Sequence, residues 1–320
     1  MHIDERLLIR GGAMQTRRQR RGARQTGNVV LDVARPSGSG GTRIASVCLE
    51  GGRVRTFGTV QLPNRVVLPY AAQGSSGIPL LLVHAVGDSW RSFERVLDHL
   101  PASVHAFAVT LRGHGDASRP ESGYRSSDFA GDLVGFLDAT GVKAAVIVGG
   151  SSGGLVAQRF AIDHPDRTSG LVLLGSPLSL GNKPAARELL DETLSTLADP
   201  IDPGFVRAFV AGTIARPVPD AFLEAMVQES LKVPAHVWKA TGEGLLQDDF
   251  SGELGSIHVP TLVVWGDCDT ILPRHEQESM ASRIPNARLM VYPRAGHAFY
   301  WEDPARVARD LADFVGEIAA

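Results

Sequence analysis

From about Thr59 to the C-terminus, short apolar runs alternate with segments of helical periodicity. The runs Val66–Ala71, Pro79–His84, His105–Thr110, Ala144–Gly149, Leu171–Gly175, Thr261–Trp265 and Arg288–Tyr292 read as strands. The middle ones are continuously apolar, as strands buried on both faces must be. Helical patterns fill the gaps: Ser89–Leu100, Ser127–Thr140, Gly154–His164, Arg274–Arg283 and Pro304–Ile318. Asp303 is placed to cap the last of these, with Pro304 at its first position. This rhythm predicts an α/β fold with a mostly parallel sheet flanked by helices.

One stretch departs from it. From about Leu178 to Asp249 there is no strand pattern, only amphipathic pieces separated by prolines: Ala185–Leu197, Gly204–Ile214, Asp220–Leu231 and Ala235–Leu246. An all-helical insertion between parallel strands is expected to cap the carboxyl ends of the strands, where open α/β sheets bind ligands. The predicted division is therefore an Arg- and Gly-rich extension over residues 1–54, a core over 55–177 and 250–320, and a helical cap over 178–249.

Composition changes this picture little. The 320 residues suffice for one large domain or two smaller ones, and 43% hydrophobic with 21% charged residues is ordinary for a globular chain. A net charge of -3 gives no overall attraction to nucleic acid or to a membrane surface. No apolar run reaches the roughly 18 residues of a membrane span. Arg17, Arg18, Arg20, Arg21 and Arg24 cluster near the N-terminus, but no apolar export segment follows them. Residues Met1 to about Gly41 read as a solvated tail ending in the linker Ser37-Gly38-Ser39-Gly40-Gly41, and Met14 offers an alternative start. The default location is the cytoplasm. Cys48 and Cys268 are too few for a disulfide framework, and Cys268 reads as a small space-filling residue. No metal or phosphate motif is present, so no cofactor is expected.

The candidate chemistry begins at Val146-Ile147-Val148-Gly149-Gly150-Ser151-Ser152-Gly153-Gly154, where a buried strand runs through small residues straight into a helix. A serine hydroxyl is a poor nucleophile unless it is held exposed beside a base. A tight strand-to-helix turn exposes it and aims the first helical amides at the reaction centre. The G-x-S-x-G pattern occurs in two overlapping registers, centred on Ser151 and on Ser152. Ala157 and Ala161 stand one helical turn apart, six and ten residues after Ser151, which suits close packing on the sheet and favours Ser151.

The segment resembles the nucleophile turn of the α/β-hydrolase family, with Gly150 where histidine is common and Ser152 where methionine is common. Further signatures follow in the family's order: Leu81-Leu82-Val83-His84-Ala85-Val86, Leu111-Arg112-Gly113-His114-Gly115, Val264-Trp265-Gly266-Asp267-Cys268-Asp269 and Ala295-Gly296-His297. The resemblance implies an α/β-hydrolase fold and a catalytic triad of Ser151, His297 and Asp269, with Asp267 as a turn former. It also implies an oxyanion hole built from the backbone N–H groups of Val86 and Ser152. Ala85 stands where glycine is usual, which puts the path of the loop near Val86 in question. His84 and the Arg112–Gly115 turn read as scaffold, and Asp88 and Asp116 as caps or turn residues.

A serine at position 151 excludes the aspartate-nucleophile relatives and leaves acyl transfer to water. The expected activity is hydrolysis of a carboxylic ester or lactone of a hydrophobic, medium-sized substrate. A bulky aromatic macrolactone of the zearalenone type is one that suits the resemblance. The insertion offers Trp238, Phe205, Phe209 and Met226 as substrate-binding residues, Trp238 foremost as a flat wall, and Phe299, Tyr300 and Trp301 follow the base. Carbon–carbon bond hydrolysis and cofactor-free perhydrolysis run on the same triad. A non-catalytic small-molecule receptor is the alternative of another class. The expected partner is a small-molecule substrate, with neither nucleic acid nor membrane, and the oligomeric state is not readable.

Overall fold

The computed structural model describes residues 54–320 except Asn182, together with the backbone of two earlier strands, β1 (Val30–Asp32) and β2 (Arg43–Cys48). The arginine cluster at 17–24, the Ser37–Gly41 linker and Met14 lie outside the described residues, whereas β1 falls within the stretch read as a solvated tail and pairs with β2 instead. Eight further strands follow: β3 (Val54–Gln61), β4 (Val67–Gln73), β5 (Leu80–Val83), β6 (Ala106–Val109), β7 (Ala145–Gly150), β8 (Thr168–Leu174), β9 (Thr261–Gly266) and β10 (Ala287–Tyr292). All ten form one sheet in the order β1-β2-β3-β4-β6-β5-β7-β8-β9-β10.

Neighbours from β6 across to β10 pair parallel, while β1 to β4 are antiparallel and join through β4 to β6. The seven strands read from apolar runs are all present, with ends shifted by at most three residues. The three the pattern did not reveal are β1, β2 and β3. In β3 only Arg55 and Val60 are buried, so no continuous apolar run marks it. Two segments assigned to the N-terminal extension thus add backbone hydrogen bonding to one edge of the sheet.

Among the described residues ten α-helices accompany the strands: α1 (Glu94–His99), α2 (Ser126–Thr140), α3 (Gly153–Asp163), α4 (Pro184–Glu188), α5 (Pro203–Ala211), α6 (Asp220–Leu231), α7 (Ala235–Gln247), α8 (Arg274–Arg283), α9 (Phe299–Glu302) and α10 (Pro304–Ala319). Asp303 accepts from the Arg306 N–H at 3.3 Å and Pro304 opens α10, as the sequence implies. In α3, Ala157 and Ala161 are buried, and their small side chains let the helix lie close to β7 and β8. No helix among the described residues is long and apolar enough to cross a membrane.

This topology fixes where a site can form. After β5 the chain moves outward to β6, then returns to β7 on the other side of β5. The loops following β5 and β7 therefore diverge at the carboxyl ends, and the crevice between them is a topological switch point. The loops after β8, β9 and β10 leave from the same edge of these parallel strands. Helices α4 to α7 are inserted between β8 and β9, and an isolated antiparallel bridge, Ser179 to Asp249, closes the base of the insertion.

Candidate active site

At the end of β7 the backbone turns sharply. Ser151 has φ +50°, a left-handed conformation rare for a residue with a side chain, whereas Ser152 is helical at φ -60°. The turn is possible only with glycine on either side. A Cβ on Gly149 would lie 2.4 Å from the Gly153 carbonyl oxygen, and one on Gly153 would lie 2.4 Å from that of His84. Of the two registers, the geometry selects Ser151 as the strained, presented hydroxyl. The Ser151 N–H donates to the Leu174 carbonyl at 2.9 Å, pinning the turn to β8.

Ser151 Oγ lies 2.7 Å from His297 Nε2, and His297 Nδ1 lies 2.8 Å from Asp269 Oδ2. These three residues come from the loops after β7, β10 and β9. Asp269 is held by its other oxygen, which accepts from the Ile271 N–H at 2.8 Å and the Leu272 N–H at 3.0 Å. Its side chain is fully buried, and that of His297 is 5% exposed. Asp267, the rival carboxylate, instead accepts from the Arg294 N–H and ties the β9 loop to the β10 loop. Cys268 is exposed beside it rather than filling space.

A buried carboxylate outside every motif named above holds the loop that carries His297. Glu302 accepts from the Gly296 N–H at 3.0 Å and from the Ala215 N–H at 2.6 Å, and it pairs with Arg216. It thus joins the loop carrying His297 to the link between α5 and α6. Its signal was weak in sequence, because a glutamate after an aromatic run looks like an ordinary surface position.

The loop after β5 carries the expected second oxyanion donor. Ala85 causes no strain, because the left-handed residue of this turn is Gly87, at φ +83°. His84 is scaffold: Nδ1 pairs with the Ala85 carbonyl at 2.7 Å, and Nε2 accepts from the Leu111 N–H at 2.9 Å. Burial pushes His84 well below the usual imidazole range, aided by the adjacent His114. The Val86 N–H does not point free into the site. It donates to Ser152 Oγ at 2.8 Å.

A cavity of about 510 Å³ opens above Ser151 and His297. Its floor includes Ser151, Ser152, His297, Ala85 and Val86, and its walls include Leu190, Leu194, Phe209, Trp238, Leu245 and Leu246 from the inserted helices. Trp238 forms part of the cavity wall, packed edge-on to Phe205 and Phe209 at 5.6 and 5.1 Å and against Gly87. Phe209 also lines the cavity, but Phe205 and Met226 do not. The face of α5 turned to the cavity carries Ala208 and Phe209, with Phe205 a turn behind. Met226 is wholly buried in α6, which supplies no lining residue and packs on α5. Tyr300 and Trp301 line the cavity, whereas Phe299 is core.

Asp88 is neither a cap nor a simple turn residue. Ser89 caps the short helix that follows, accepting from the Arg91 N–H. Asp88 is 5% exposed, lines the cavity, and accepts from Ser92 Oγ at 2.6 Å. Burial raises its carboxyl to about 7, the Ser92 bond opposing this and the Glu229 charge adding to it. Asp116 is exposed and pairs with Lys232. Arg112 forms a buried two-bond pair with Asp132 of α2, which makes the turn after β6 scaffold.

The chain resembles known proteins over this same region. A 2-hydroxy-6-oxononadienedioate/2-hydroxy-6-oxononatrienedioate hydrolase of Burkholderia vietnamiensis is 30% identical over 261 residues, covering 77% of this chain and 90% of that one. A thermophilic esterase from Thermogutta terrifontis superposes with a TM-score of 0.73 at 26% identity, covering 82% of this chain and 99% of that one. Est816, described as an N-acyl homoserine lactone degrading enzyme, gives a TM-score of 0.68 at 28% identity, covering 78% and 98%. The alpha/beta hydrolase family model matches residues 80–310. Strand order, the strained turn at Ser151 and the sequence match agree: the chain belongs to the alpha/beta hydrolase family and is a hydrolase.

Proposed function

We propose that this protein hydrolyses carboxylic esters or lactones of hydrophobic acids or alcohols through an acyl-enzyme on Ser151. The observation that carries this reading is the unbroken hydrogen-bond chain Ser151–His297–Asp269 at the floor of an apolar cavity. His297 Nε2 takes the Ser151 proton as Oγ attacks the carbonyl carbon, then returns it to the leaving oxygen. Asp269, locked by two backbone amides, keeps Nδ1 as the protonated nitrogen and stabilises the imidazolium. The Ser152 N–H faces the developing oxyanion at the start of α3. Water then enters by the same route, and His297 deprotonates it to release the acid. The inserted helices act as a cap that excludes bulk water from this chemistry.

The cavity volume suits a small to medium ligand, and its walls are hydrocarbon and aromatic. Carbon–carbon bond hydrolysis is the second reading, supported by the activity named for the Burkholderia relative. A dioate substrate carries two carboxylates, however. Among the described lining residues the only lysine or arginine is Lys183, which is already paired with Glu276. That favours a neutral ester or lactone.

The test is a panel of 4-nitrophenyl esters, aliphatic and aromatic lactones and a vinylogous 1,5-diketone acid, run with the wild type and Ser151→Ala. Ester or lactone turnover should fall by roughly 10⁴-fold or more in the variant while its melting temperature holds. Activity that survives Ser151→Ala overturns the reading. Tight binding of these compounds without turnover would show a receptor instead.

A further inference from the structure

Ser152 occupies the last position before α3, where a serine would ordinarily cap the helix by accepting from an amide in the first turn. It does not: its side chain makes no capping bond. The hydroxyl instead reaches across to the loop after β5 and accepts from the Val86 N–H at 2.8 Å. The residue is 6% exposed and borders the cavity beside Ser151 and His297. A hydroxyl that accepts one hydrogen bond still has its own proton to donate. No acceptor for that proton occurs among the described residues, so the remaining direction is into the cavity.

We propose that the Ser152 hydroxyl is itself a donor of the oxyanion hole, supplied through the Val86 amide. In the tetrahedral intermediate the oxyanion accepts from the Ser152 N–H and from the Ser152 Oγ–H. Val86 N–H keeps its bond to Oγ and polarises the hydroxyl, since donors in series strengthen one another in a dry site. The arrangement requires no rearrangement of the resting structure beyond rotation of one O–H bond. A direct Val86–oxyanion bond would require Oγ to leave the amide first. The inference rests on Ser151 being the acylated residue, and it adds a catalytic side chain to that mechanism.

The experiment uses Ser152→Ala in the full-length protein, with three readouts. The first is kcat and KM on a 4-nitrophenyl ester. The second is the affinity of phenylboronic acid, which forms a tetrahedral anion on the nucleophile. The third is the affinity of the product carboxylate, which forms no such adduct. Loss of one oxyanion donor should lower kcat by roughly 10- to 100-fold. Boronate affinity should weaken in step, while KM and product affinity stay within about threefold. Unchanged kcat would show that the hydroxyl only closes the loop. A rise in kcat would show that it competes with the oxyanion for the Val86 amide. Equal weakening of boronate and product would indicate a packing role. Each of these three results overturns the proposal while leaving the Ser151→Ala result intact. Failure of Ser151→Ala to abolish turnover would instead remove the mechanism on which it rests.

Discussion

Asp88→Asn should stabilise the protein at alkaline pH and do little at acid pH. The Asp88 carboxyl lies between Ser92, which donates to it, Glu229 of α6 and Tyr300 of α9, with Arg91 turned to Glu229 at 3.5 Å rather than to Asp88. Unfolded, the group ionises near 3.8; folded, burial holds it protonated until about 7. Below pH 4 both states are protonated and the group costs nothing. Between pH 4 and 7 the folded state binds the extra proton, so stability falls as pH rises, and above 7 the full cost is present. At 1.36 kcal/mol per pH unit the gap corresponds to about 4 kcal/mol. Water admitted by the cavity reduces this, and a difference of about 2–4 kcal/mol should remain. Asparagine keeps an oxygen for Ser92 and carries no charge. At roughly 2–4 °C per kcal/mol, the variant should melt about 4–16 °C above the wild type at pH 8, the difference shrinking towards pH 5. Thermal denaturation by circular dichroism across pH 5–8 measures it. His84 and His114, both held below the usual imidazole range by burial, destabilise the fold as pH drops under 6.5, but they are common to both proteins and cancel in the difference. A melting difference that does not vary with pH would refute the reasoning.

Two glycine substitutions should act oppositely. Gly153→Ala places a Cβ 2.4 Å from the His84 carbonyl oxygen and 2.5 Å from that of Val83, so the nucleophile turn must separate from the loop after β5. It should lower kcat/KM by about 100-fold or more in ester assays. Gly131→Ala, exposed on α2 with nothing within 4 Å of the new methyl, should raise stability by about 0.5–1 kcal/mol in urea titrations and leave activity alone. Trp238→Phe should move ester preference towards bulkier acyl groups, read as a change in relative kcat/KM along a chain-length series, because the ring forms a cavity wall beside Gly87.

Much of the candidate site was legible along the chain. The strand, small-residue turn and helix around Ser151 announce themselves because steric crowding there tolerates only glycine at 149 and 153, a constraint written directly in residue identity. Asp269 and His297 were legible from short turns that end β9 and the loop after β10. Apolar runs marked β5 to β9 because both faces of those strands are covered. The same signal failed for β3, which is buried at few positions and is held by its pairing with β2 and β4.

Only the tertiary structure decided which side chains reach the cavity. Helical periodicity shows that α5, α6 and α7 each have an apolar face, but not what that face meets. Phe209 and Trp238 turn to the cavity, while Phe205 packs behind them and Met226 is core. Asp88 looked like a turn residue because local sequence cannot show that it is buried or that Glu229, more than a hundred positions away, approaches it. Nor could it show that the Ser152 hydroxyl would bond to Val86 across 66 positions instead of capping its own helix. Local sterics are encoded in neighbouring residues and can be read there. Burial, charge environment and long-range hydrogen bonds arise only when distant segments fold against one another.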